Sequence, residues 1–223
     1  MLFFAHLLVK TALGWGISSA APVQTPISWA GHQVTLGSRW VPFKGKVRTR
    51  MDSFVIARAT WEDGRFVLTQ EACAVRFDKV AGVRVHMDAR HLPRSVFTFT
   101  PRERDQTFDG RSRVVWNEED VDHDGKPGMT IRVAARVCSG SLHVTNDSTT
   151  TATARFREGG TFGGNARVRV EQRVLGAEGA CLSMVADDTS EQVDGPFAYT
   201  PVPAGTSCRD LSPDDWPIDA LAW

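Results

Sequence analysis

The chain has 223 residues, 42% of them apolar and 23% charged, which is enough for a sizeable core and too apolar for a disordered chain. Lys+Arg and Asp+Glu both number 26, so the formal net charge is zero. That balance argues against nucleic acid as a partner, which selects a basic surface, and against a polybasic membrane contact.

Residues 1–20 read as a signal peptide. Leu2 to Val9 is apolar apart from His6, the run resumes after Lys10, and Ser18-Ser19-Ala20-Ala21 offers small residues for cleavage. Residues 21–36 are expected to form an N-terminal extension, 37–210 a single β-barrel domain, and 211–223 an acidic, aromatic tail. No later stretch reaches the 18 or so apolar residues of a spanning helix. The expected home is therefore secreted, periplasmic or elsewhere in the cell envelope, and the expected assembly state is a monomer.

In chain order, strands are predicted over 40–50, 53–60, 65–71, 74–77, 80–87, 95–100, 112–117, 129–137, 141–157, 161–175, 180–186 and 196–202, some of which merge. Arg167-Val168-Arg169-Val170-Glu171-Gln172-Arg173-Val174 shows the pattern: valines on one face and mostly charges on the other. Turn signals such as Glu62-Asp63-Gly64, Asp109-Gly110 and Asp194-Gly195-Pro196 separate the runs. The fold class is all-β, an antiparallel meander closed or nearly closed into a barrel, with a β-sandwich as the alternative.

The four cysteines are Cys73, Cys138, Cys181 and Cys208. An even count behind an export signal reads as two disulfides, and no pair has the Cys-x-x-Cys spacing of zinc or thioredoxin chemistry. The expected pairing is Cys73–Cys208 and Cys138–Cys181, because the first bond would tie the chain end to the early sheet.

Asp120-Val-Asp122-His-Asp124-Gly125 places carboxylates at alternate positions before a glycine, like the first half of a calcium loop. The twelfth loop position is Ile131 rather than a bidentate Glu, so Ca²⁺ stands beside a self-capped acidic turn as the other reading. His86, Asp88 and His91 lie within six residues but among Arg84, Arg90 and Arg94, and they read as a solvated strand end. Asn146-Asp147-Ser148 is formally a glycosylation sequon. There is no Gly-x-Ser-x-Gly, His-Glu-x-x-His or phosphate loop, so no catalytic residue is assigned. Large inward apolar groups point to a filled core or a ligand cavity. The candidate ligand-binding residues are Trp40, Trp61, Phe97 and Phe99, with Gly163 and Gly164 leaving space beside them.

Three segments carry a resemblance. Thr69-Gln-Glu-Ala-Cys73-Ala-Val-Arg-Phe77, then Asp122-His-Asp124-Gly125-Lys-Pro127-Gly128-Met-Thr130, then Glu171-Gln-Arg-Val-Leu175-Gly176, resemble a family of exported myxobacterial proteins to which no activity is assigned. The resemblance spans about 70 to 205 and implies a mainly β fold and an extracytoplasmic home, but no catalytic residues. His123 and Met129 depart from the Gly and Val expected there. Gly37-Ser-Arg-Trp40 is similar to the lipocalin Gly-x-Trp opening, with one residue more between. The functional expectation is a non-enzymatic secreted module that holds a small apolar ligand or docks on a surface partner. The alternatives are a structural envelope protein with a filled core, or an enzyme with a dispersed site. An outer-membrane barrel shares the same alternation.

Overall fold

A computed structural model describes residues 27–41, 45–80, 82–136 and 138–223. The predicted signal peptide and the start of the predicted extension lie outside them.

Ten strands account for most of the described chain: β1 (Ile27–Val41), β2 (Gly45–Glu62), β3 (Arg65–Phe77), β4 (Arg84–Met87), β5 (Ser95–Pro101), β6 (Phe108–Trp116), β7 (Met129–Ala134), β8 (Gly140–Phe156), β9 (Phe162–Glu178) and β10 (Thr189–Val202). All ladders between them are antiparallel. Eight of them (β1, β2, β3, β5, β6, β8, β9 and β10) follow one another around a closed barrel, which β1 and β10 complete. Closure leaves these strands with no free edge. β6 pairs with β8 as far as Trp116↔Asn146, and β7 takes over on the same side of β8 from Met129↔Val144. β4 pairs with β7 and lies beside β3, so these two strands continue the wall where β5 and β6 stop.

The barrel starts ten residues before the predicted boundary at 37. β1 is part of the wall, and Ser28 to His32 are buried without interruption. The inner face of β1 meets the barrel core through Trp29. Its outer face is covered by the chain's end, where Val34 packs with Ala198, Ala220, Ile218 and Trp223. The predicted tail is therefore a strap docked on the outside of β1 and β10. Arg157 lies over the Trp223 ring at 3.8 Å. The predicted strand at 180–186 is instead a short helix, α1 (Leu182–Val185).

Both expected disulfides are formed, Cys73–Cys208 and Cys138–Cys181. Cys73 sits at a bulge in β3, where Phe54 pairs with Ala74 and Val55 with Ala72, and it ties the wall to the strap. Two disulfides and, among the described residues, no helix long and apolar enough to cross a membrane fit an extracellular or envelope setting. The outer wall is charged. Arg111 and Arg113 on β6, Thr149 and Thr151 on β8, and Arg167 and Arg169 on β9 are all exposed. A lipid-facing barrel carries an apolar band there.

Candidate functional site

Side chains alternate across each strand, so every second residue enters the barrel. At the end formed by β1's start and β10's finish, those residues are aromatic and close-packed. Trp29, Phe66, Leu68, Phe97, Phe99, Phe162, Phe197 and Tyr199 form one buried cluster. Phe97 and Phe99 stack at 4.5 Å between centroids, and Phe162 meets Phe99 edge-on at 4.8 Å. Glycines make room for the rings. A Cβ on Gly110 would collide with the Phe99 ring, its cross-strand neighbour, and one on Gly31 with the Tyr199 ring.

Three of the predicted ligand residues thus sit at the closed end. Phe97 and Phe99 are 3% and 0% exposed and belong to the filled core. Trp61 is 55% exposed at the outer edge of that end, with Phe66 at 5.4 Å and Phe108 at 6.2 Å. Trp40 lies on β1, but its side chain is outside the described residues. Gly163 and Gly164 leave no space. A Cβ on Gly163 would press on the Phe197 carbonyl, and one on Gly164 on the Thr153 carbonyl. They let strand backbones approach closely.

One inward step above the aromatic cluster, the lining changes from rings to hydrogen-bonding groups. Gln33 Nε2 donates to the Tyr199 hydroxyl at 2.6 Å, Tyr199 donates to Gln70 Oε1 at 2.7 Å, and Gln70 Nε2 donates to Ser95 Oγ at 2.9 Å. Burial pushes the Tyr199 phenol well above its usual range, so the chain of four is uncharged. Ser112 Oγ, on the same inner surface, is buried and has no hydrogen-bond partner.

Above this floor the inward residues are small or branched. They include Thr35 on β1, Met51 and Ser53 on β2, Val114 on β6, Ser148 and Thr150 on β8, Val168 and Val170 on β9, and Val193 on β10. All are half-buried. An inward side chain of a closed barrel meets water through the interior or at the barrel's end, so this stretch, the cup, borders solvent. A second packed cluster, around Met87, Met129, Val144, Phe77 and Ile131, lies on one side of its rim. Asn146, the glycosylation candidate, points into the barrel, is 7% exposed, and donates to the Val114 carbonyl and Ser148.

The acidic turn lies outside the cup. Asp120, Asp122 and Asp124 bring carboxylate oxygens within 4.8 Å of one another. Most of these oxygens accept from the turn itself. Asp120 accepts from the N–H groups of Asp124 and Gly125, Asp122 Oδ2 from that of Thr130, and Asp124 from Lys126 N–H and the Thr130 hydroxyl. The Thr130 hydroxyl above all holds the Asp124 carboxyl below its usual range. Asp122 Oδ1 alone is buried and unpartnered. His86 is exposed, and Asp88 is taken by Arg90 at 2.6 Å, as a solvated strand end requires.

No family model, curated protein or solved structure matches the chain.

Proposed function

We propose that this protein is an extracytoplasmic, non-enzymatic binding module that holds a small molecule with an apolar body in the cup of its barrel. The reading is carried by one observation: the inward valines, threonines and serines between the two packed clusters are half-exposed, while the inward rings beneath them are sealed. Close-packed interiors leave few voids larger than a water molecule, so a solvated stretch inside a wall of eight strands supports a binding site there.

The test is titration of the folded, oxidised protein with the neutral fluorophore N-phenyl-1-naphthylamine. Saturable binding with quenching of tryptophan emission is expected. Val168→Trp, which fills the cup from β9, abolishes it while near-UV circular dichroism stays native. No saturable binding to the unaltered protein would leave the structural reading, a barrel without a ligand, in its place.

A second reading concerns the acidic turn, and the orphaned Asp122 Oδ1 favours it. A calcium ion seated among the three carboxylates would satisfy that atom, using oxygens that already cap the turn.

A further inference from the structure

We infer that the cup selects an uncharged ligand and takes it with the hydrogen-bonding end first, against the floor formed by Gln33, Tyr199, Gln70, Ser95 and Ser112. The inference rests on the binding reading above and adds the chemical class of the ligand and its direction of entry.

Within the relay each internal bond has one donor and one acceptor, at 2.6, 2.7 and 2.9 Å. The amide of Gln33 keeps its Oε1 and one N–H outside the relay, and the Ser112 hydroxyl is buried with no partner. The floor thus presents donors and acceptors together. An alcohol, amide or oxime supplies the complement and can pair Ser112, which a plain hydrocarbon end leaves unpaired as it is in the free protein.

Charge is excluded by what the floor lacks. Among the described residues, the first ionisable inward side chain met on the way up is Glu191, one inward step beyond Val193. A carboxylate or ammonium at the floor would lose its hydration with no opposite charge to replace it. The walls favour the reverse of a charged contact: Met51, Val114, Val168, Val170 and Val193 give an apolar sleeve above a polar base. A molecule lying the other way would press its apolar end on the relay and hold its polar end among valines.

The experiment uses three probes of one chain length, 1-octanol, octanoate and octylammonium at pH 7, to displace N-phenyl-1-naphthylamine from the full, oxidised chain. Octanol is expected to displace at a concentration at least about ten-fold lower than either ion, a difference of about 1.4 kcal/mol. Ser112→Ala and Gln33→Leu are expected to shrink that advantage to under about three-fold, each read against the variant's own fluorophore affinity. Ser112→Ala removes an unpartnered atom and serves as the variant least able to disturb folding. Equal displacement by all three probes, or tighter binding of an ion, overturns the inference and leaves the cup standing. Failure of the fluorophore to bind at all removes the cup reading itself, and this inference with it.

Discussion

The backbone N–H of Ala220 donates to Nδ1 of His32 across 3.0 Å, joining the end of the chain to the outer wall of its first strand. Nδ1 is therefore the bare nitrogen, and the proton sits on Nε2, which donates to Asp52 Oδ1 at 2.9 Å. The imidazole is 5% exposed and stacks on Phe54 with centroids 4.8 Å apart. Arg50 closes the far side of Asp52 with bonds of 2.6 and 2.8 Å. One ring thus latches the strap to the barrel.

His32→Ala should free the strap. It strips Asp52 of one donor and Ala220 of its acceptor in a buried setting, for a loss of about 2–3 kcal/mol. Limited proteolysis should then cut after Arg209 while the core stays resistant, and denaturant titration should give the loss in stability. The latch also weakens in acid. Burial raises the Asp52 carboxyl, but the bonds from Arg50 and His32 outweigh it and hold the group below its usual value. With the folded value depressed, its contribution is complete above the unfolded value of about 3.9 and disappears as pH falls through the folded one. Strap cleavage should rise over that window, before the barrel melts.

The two disulfides should differ in weight. In the chain-entropy model the 135-residue separation of Cys73–Cys208 corresponds to about 5 kcal/mol, and the 43-residue separation of Cys138–Cys181 to about 4 kcal/mol. Paired Cys→Ser variants, compared by denaturant midpoint, should rank in that order. Non-reducing peptide mapping should recover these two linkages and no free thiol.

Gly110→Val should destabilise the barrel by about 1–3 kcal/mol or more, since the new side chain would occupy the place of the Phe99 ring. Gly205→Ala is the control. It lies at a positive φ of 86° with nothing near its missing Cβ, so only backbone strain of about 1 kcal/mol should appear. Thermal melts of the two variants would separate ring displacement from strain.

Millimolar calcium should raise the melting temperature, because a ligand that binds only the folded state stabilises it by mass action. Asp122→Ala should abolish that rise, as it removes the orphaned Oδ1. Calorimetry without a binding signal at millimolar calcium would reduce Asp120, Asp122 and Asp124 to caps of their own turn.

What the sequence displayed depended on how many faces a strand exposes. β8 and β9 run over Gly140–Phe156 and Phe162–Glu178, close to the predicted 141–157 and 161–175, because one face of each meets water and the alternation is plain. β1 was hidden for the opposite reason. Barrel on one side and strap on the other bury Ser28, Trp29, Ala30, Gly31 and His32 alike, which removes the period of two. The break predicted between 50 and 53 vanished because Asp52, a polar residue in the strand, is satisfied by His32 and Arg50. The segment at 180–186 mimics a strand, yet Gly179 at φ 104° turns the chain and Cys181 is bound to Cys138. Phe97 and Phe99 drew the ligand prediction as large inward rings, and in the fold they fill the core. The half-buried inward positions are Thr35, Ser148, Thr150 and the valines, whose pattern looks like any half-buried strand.

The ladder that closes the barrel joins Ser28–Leu36 to Asp194–Val202, so the first strand waits for the last. Until residue 202 has left the ribosome there is no inside: the nascent sheet has two raw edges, a curved face of exposed rings, and no strap. Closure of the barrel therefore waits for its last strand. A polypeptide made this way must be held apart from its copies while the sheet is incomplete. The same geometry delays Cys73–Cys208, which can form only once both ends of a 135-residue span have been made.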